Sequence, residues 1–271
     1  MELSDKQKKV LKDLGELLTF GYSILASTEI KISQRLKRVM LFHIMGTTQS
    51  YAEAVLKLIR PENIYDKSAE VLMRSLIESF INLNYMYCGR DEKNVRNFIM
   101  DEIAEKIKFS NRYKNFLTRH PSWTIEFGHI KTITDWQAFD SNLTKQIDKI
   151  SKRYKQNFKS LNLIDRAIAI DKHLESGGKL TKSNSLEYYY VTYYSYFSDV
   201  AHLGGNGLSR FFNQDEWKFD IDGKPEDMER VALITYQLYY VILRFFAKKF
   251  GVYDKNKFSK YEKVSRSLVG K

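Results

Sequence analysis

Apolar positions along this chain recur every three or four residues over long stretches, the period of an α-helix that buries one face. Val10, Leu11, Leu14, Leu17 and Leu18 set the rhythm, behind Ser4 or Asp5 as an N-cap, and predict a helix to about Ser27. A second is predicted from about Ser33 to Ile59; it stops before Pro61, which has no backbone N–H to continue the ladder. A third, about Tyr65 to Tyr87, is apolar on most sides, as suits a helix surrounded by neighbours. A fourth starts at Asp91 and reaches about Leu117.

Beyond that point the rhythm weakens. Arg119 to Asp140, with Pro121, Trp123, Gly128 and Trp136, reads as an ordered connection anchored by aromatic side chains. Helices resume near Ser141 and near Leu161, the later one ending at Gly177-Gly178 in the manner of a glycine C-cap. A tyrosine-rich segment from Tyr188 to His202 and a long helix from about Glu226 to Phe250 follow. Alternation with a turn signal occurs at Trp217-Lys218-Phe219-Asp220-Ile221-Asp222-Gly223 and predicts one short β-hairpin near 217–223. The expected fold is therefore an all-α multi-helix bundle carrying that hairpin. No Pro/Gly/Ser-rich linker divides it, so residues 1–250 read as a single helical domain and 251–271 as a basic C-terminal helix or tail.

Composition agrees with this picture. The chain has 271 residues, 43% of them hydrophobic, and only 13 Gly and 3 Pro to interrupt helices. Its first residues lack the apolar stretch of a signal peptide and Cys88 is its one cysteine, which points to the cytoplasm and excludes an internal disulfide. Apolar runs such as Val241-Ile242-Leu243 break far short of the roughly 20 residues that span a bilayer, so no membrane partner is expected. A net charge of +11 points instead to a polyanion, either nucleic acid or an acidic protein.

Two helices carry polar seams. Glu70, Arg74, Glu78 and Asn82 repeat every four residues on an otherwise apolar segment and fall on one narrow stripe. Either Arg74 sits between Glu70 and Glu78 as a self-neutralised structural seam, or Arg74 and Glu78 line a cleft for an anionic ligand. Downstream, Tyr188, Thr192, Ser195, Ser198, Asp199 and His202 share one face, closed by His202 directly before Gly204-Gly205-Asn206-Gly207. His202 there is a helix cap or a proton-transfer group. A third cluster, Lys152, Arg153, Lys155 and Lys159 interleaved with Tyr154 and Phe158, pairs phosphate contacts with base stacking or is a solvated face.

Arg74-Ser75-Leu76-Ile77-Glu78, followed far downstream by Ser198-Asp199-Val200-Ala201-His202, resembles an uncharacterised family of bacterial all-helical proteins, over roughly Leu41 to Gly205. That family is similar to the HEPN domains, helical bundles that often dimerise and include many RNA-cleaving toxins and antiphage effectors. The resemblance implies a homodimer, RNA rather than DNA as the nucleic acid, and a metal-independent endoribonuclease with His202, Arg74, Glu78 and Ser198 at its site.

HEPN ribonucleases place an arginine a few residues before the histidine. Here those places before His202 are Ser195, Tyr196 and Phe197, so the arginine must come from elsewhere, with Arg74 as the candidate. Arg38 with His43 and Arg166 with His173 also match that spacing. There is no phosphate-binding glycine loop, no paired Cys/His metal spacing and no glycine-flanked nucleophilic serine, so neither cofactor nor metal is expected. The competing expectation is a non-catalytic helical module that docks an acidic partner.

Overall fold

In a computed structural model of the chain, the described residues are 3–29, 35–89, 92–121, 132–155, 159–202, 212–213, 218–219 and 224–269. They group into two compact units, one formed by residues 1–85 and 166–271 and the other by 86–165, where the absence of a linker had suggested a single unit. The all-α expectation holds.

In the larger unit α1 (Asp5–Ala26) opens on a capping box, with the Ser4 hydroxyl accepting the Gln7 amide and the Gln7 side chain accepting the Ser4 amide. It packs with α2 (Leu36–Leu58) and α9 (Pro225–Phe250). α9 begins with proline in its first turn beside Glu226 and Asp227, which suit the positive end of the helix dipole, and ends at Gly251 with φ 75°.

Leu14, Leu17, Leu41, Met45, Tyr239 and Phe246 are fully buried where these helices meet. Each such side chain contributes about 1.5–3 kcal/mol. Gly21 is required at the closest approach, since a Cβ there would lie 1.8 Å from the Tyr239 hydroxyl oxygen. That hydroxyl donates to Gln49 Oε1, while Gln49 Nε2 donates to the Leu18 carbonyl at 3.2 Å and to Glu53 at 2.6 Å.

β1 (Ile59–Arg60) and β2 (Asn63–Ile64) form a two-residue antiparallel pair about Pro61-Glu62. The sequence marked Pro61 only as a helix stop, so this pair adds to the single β element expected. The hairpin expected near 217–223 exists further upstream: β3 (Phe212–Asn213) pairs antiparallel with β4 (Lys218–Phe219), and the rest of the expected stretch lies outside the described residues.

The C-terminal segment is a docked helix. α10 (Lys255–Val269) buries Phe258, pairs Lys260 with Glu16 of α1, accepts the Tyr236 hydroxyl at the Tyr261 carbonyl at 3.1 Å, and exchanges hydrogen bonds between Ser265 and Gln237. The Lys260 ammonium holds the Glu16 carboxyl below its ordinary value.

Two further helices lead to the tyrosine-rich segment. α3 (Asp66–Tyr87) is buried along most of its length, and α6 (Leu163–Ser176) ends before Gly178, at φ 64°. The Asp171 carboxylate of α6 accepts from the Ser185 hydroxyl and from the amides of Leu186 and Glu187. It thereby satisfies otherwise open donors at the start of α7 (Leu186–Tyr189) and fixes where the tyrosine-rich segment begins. That segment continues through a π-helical turn (Tyr190–Tyr194) into α8 (Ser195–Ala201), with His202 at its end.

The smaller unit contains α4 (Lys93–Arg119) and α5 (Ile133–Tyr154), packed on each other. A Thr132–Asp135 capping box starts α5 well before Ser141, so Trp136 belongs to a helix and not to the connection expected there. Trp136 is 1% exposed, stacked on Tyr113 at 5.0 Å and edge-on to Phe139 at 5.9 Å. The expected aromatic anchor is real for Trp136; Trp123 and Gly128 lie outside the described residues. Among those residues no helix is long and apolar enough to cross a membrane.

Candidate functional site

The four-residue repeat of polar side chains on α3 places them on one face, and each described partner comes from a different element. Glu70, with no exposed surface, accepts from Arg230 of α9 at 2.6 Å. Arg230 also pairs with Asp227 at 3.1 Å and lies 5.7 Å from the Tyr196 ring centre. At the other end Asn82 accepts from Arg166 of α6 at 2.6 Å, both buried, with the Arg166 guanidinium 5.8 Å from the Tyr85 ring centre. An arginine between two carboxylates does occur, but the residue in that seat is Arg230, not Arg74.

Arg74 has a different environment. Its Nε donates to the Tyr194 hydroxyl at 3.1 Å, its guanidinium lies 5.4 Å from the Tyr194 ring centre, and its Nη1 lies 2.9 Å from Nε2 of His202. None of the described residues gives it a carboxylate partner. The structure thus brings Arg74 and His202, 128 positions apart, into contact.

A guanidinium only donates, so a hydrogen bond in this pair requires Nε2 to accept, as it does in the imidazole tautomer that carries its proton on Nδ1. His202 is exposed and Arg74 half-buried, so the pair is accessible to solvent. Ser198 lies one turn before His202, and its carbonyl accepts the His202 amide at 3.0 Å. Glu78, one turn beyond Arg74 on α3, is exposed.

The π-turn sets the register. One extra residue in the turn re-aims the side chains that follow it, and such turns recur at functional sites. Tyr190 and Tyr194 stack at 4.8 Å with rings 22° apart. Burial, with Tyr194 alongside, pushes the Tyr190 hydroxyl above its ordinary value against the opposing pull of Arg74.

The other Arg/His spacings form no comparable pair. Arg166 is held by Asn82 while His173 is exposed; Arg38 lies 6.0 Å from the Phe250 ring centre while His43 is exposed.

In the smaller unit Lys152, Arg153, Lys155 and Lys159 are all exposed at and beyond the end of α5, and Lys155 adopts a left-handed φ of 48° that stops the helix. Tyr154 is 43% exposed and has two guanidiniums near its ring centre, Arg96 at 4.3 Å and Arg153 at 5.3 Å. Phe158 lies outside the described residues. Arg96, on α4, is the member of this cluster that sequence spacing missed, because it is distant in the chain. Among the described residues no group of three or more His, Cys, Asp or Glu comes together as metal ligands.

No curated protein and no solved structure matches this chain. The profile of a family of unknown function, DUF5677, matches residues 38–219, which include α3, the tyrosine-rich segment and both members of the Arg74–His202 pair. The match covers well over half of the sequence, and the chain belongs to that family.

Proposed function

We propose that this protein is a HEPN-like, metal-independent endoribonuclease acting as a toxin or phage-defence effector. The observation that supports it most is the 2.9 Å contact between His202 Nε2 and an arginine with no described carboxylate partner. An arginine in that condition is available to an anion, and a phosphodiester would compete for its donors and free Nε2.

Nε2 then takes the proton of the ribose 2′-hydroxyl, the 2′-oxygen bonds to phosphorus, and Arg74 stabilises the extra charge on the phosphorane oxygens. The P–O5′ bond breaks as the imidazolium returns its proton to the leaving oxygen, giving a 2′,3′-cyclic phosphate and a 5′-hydroxyl. Glu78 and Ser198, each one turn along its helix from a member of the pair, are the further residues assigned to this site. Lys152, Arg153, Lys155 and Lys159 offer a second, sequence-independent hold on the RNA backbone.

The test is incubation of purified protein with total RNA in EDTA, at low and at high salt, beside a His202→Ala variant. Cleavage by wild type that His202→Ala abolishes with an unchanged melting temperature, and RNA binding that weakens steeply with salt, are the expected results. RNA left intact by wild type at low salt overturns the catalytic reading. It would favour a helical module docking an acidic partner, a reading helped by the way Glu70 and Asn82 are absorbed into structural pairs.

A further inference from the structure

The Arg74–His202 contact depends on where the guanidinium points, and Arg74 reaches it on a long side chain with several rotatable bonds. Left to itself such a side chain loses appreciable conformational freedom on being held in one pose. Tyr194 is 9% exposed, and it meets Arg74 in two ways at once, through its hydroxyl at Nε and its ring face at 5.4 Å.

The hydroxyl fixes the Nε edge of the planar fork, which leaves Nη1 directed at His202. Tyr194 is itself held by stacking on the Tyr190 ring. The Ser195 hydroxyl donates to the Tyr190 carbonyl at 3.2 Å, closing the irregular turn that holds both rings. A chain of contacts runs from Asp171, which pins the start of α7, through the π-turn to the orientation of one guanidinium.

Resting on the ribonuclease reading, we propose that Tyr194 is a positioning residue that acts through Arg74: its hydroxyl aims the guanidinium at the phosphoryl oxygens and at His202. Tyr194→Phe is the informative change, because phenylalanine keeps the ring, its stacking on Tyr190 and its packing, and deletes only the oxygen that Nε donates to. A purely structural tyrosine would tolerate it.

Two readouts are taken on the full chain. The first is cleavage of a short single-stranded oligoribonucleotide in EDTA: kcat should fall about ten-fold or more, the effect of losing one charge-assisted hydrogen bond, with KM nearly unchanged and the melting temperature within a degree or two of wild type. The second is the ¹⁵N resonance of His202 Nε2, assigned against His202→Ala. It should move in Tyr194→Phe as the guanidinium loosens, and Arg74→Lys should move it similarly.

An unchanged resonance together with unchanged kcat overturns the proposal. A moved resonance in a protein that cleaves no RNA upholds the positioning role and sinks the ribonuclease reading alone. Should Tyr194→Phe unfold, Tyr190→Leu, which removes the stacking partner and leaves the hydroxyl, takes its place; a resonance and kcat identical to wild type there would count against Tyr194 being held for this purpose.

Discussion

Arg74 stands on α3 and Arg230 reaches α3 from α9 one helical turn away, at Glu70, yet replacing them has different consequences. Arg230 is bonded to Glu70, a carboxylate with no exposed surface, so Arg230→Ala strips that guanidinium from a buried charge and should lower stability by about 2–3 kcal/mol, less than for a fully buried pair because Arg230 is half-exposed. Arg74 bonds to a tyrosine and an exposed histidine, and Arg74→Ala should lower stability by about 1 kcal/mol or less while, on the proposed ribonuclease function, abolishing RNA cleavage. Urea denaturation of both variants separates the cases. Equal destabilisation would mean that the two arginines play the same structural part. Sequence spacing alone set Arg74 between Glu70 and Glu78, and on that basis both functions fell on one residue.

At the scale of an element, glycines within α1 and α2 give a matched pair of substitutions. In a helix interior Gly→Ala is worth about 0.5–1 kcal/mol in favour of the fold when nothing obstructs the new methyl group. Gly46 of α2 has nothing within 4 Å of a new Cβ, so Gly46→Ala should raise the melting temperature by a degree or more. At Gly21 the same methyl meets the Tyr239 hydroxyl at 1.8 Å, in a fully buried ring already bonded to Gln49. Overpacking there costs about 2–3 kcal/mol and outweighs the helix-propensity gain, so Gly21→Ala should lower the melting temperature. Calorimetry of the two variants showing shifts of the same sign would contradict the close packing of α1 on α9.

For the whole molecule, buried tyrosines make stability sensitive to alkali. Burial pushes the hydroxyls of Tyr236 and Tyr239 well above their ordinary value of 10.0. Below pH 10 both folded and unfolded chains keep these protons and the contribution is intact. As pH rises past 10 the unfolded chain releases them first, so stability falls, by up to about 1.4 kcal/mol per pH unit for each tyrosine. Denaturant midpoints measured from pH 9 to pH 11 should drop accordingly, and Tyr239→Phe should flatten the decline. A midpoint independent of pH over that range would show these rings to be accessible to water.

Periodicity in the sequence was enough to determine the helices, because a three-to-four-residue apolar rhythm is a local property and the caps at Ser4 and Gly178 are written beside the segments they bound. It was enough, too, to single out the polar stripes of α3 and of the tyrosine-rich segment, since charged side chains on an apolar helix stand out without any tertiary information. It failed locally where signals were short: two-residue strands at 59–64 have no period to detect, and the Thr132–Asp135 box was masked by the glycine and tryptophans around it. What only the tertiary structure decided is the pairing. Whether Arg74 faces Glu70, Glu78 or His202 depends on how α3, α8 and α9 approach one another, and a π-turn that shifts register by one residue leaves no mark in a hydrophobic pattern. A stripe says that partners must exist, because burying an unpaired charge is costly. Which partners they are is a matter of distances across the chain, and there the fold handed Glu70 to Arg230, Asn82 to Arg166 and Arg74 to His202.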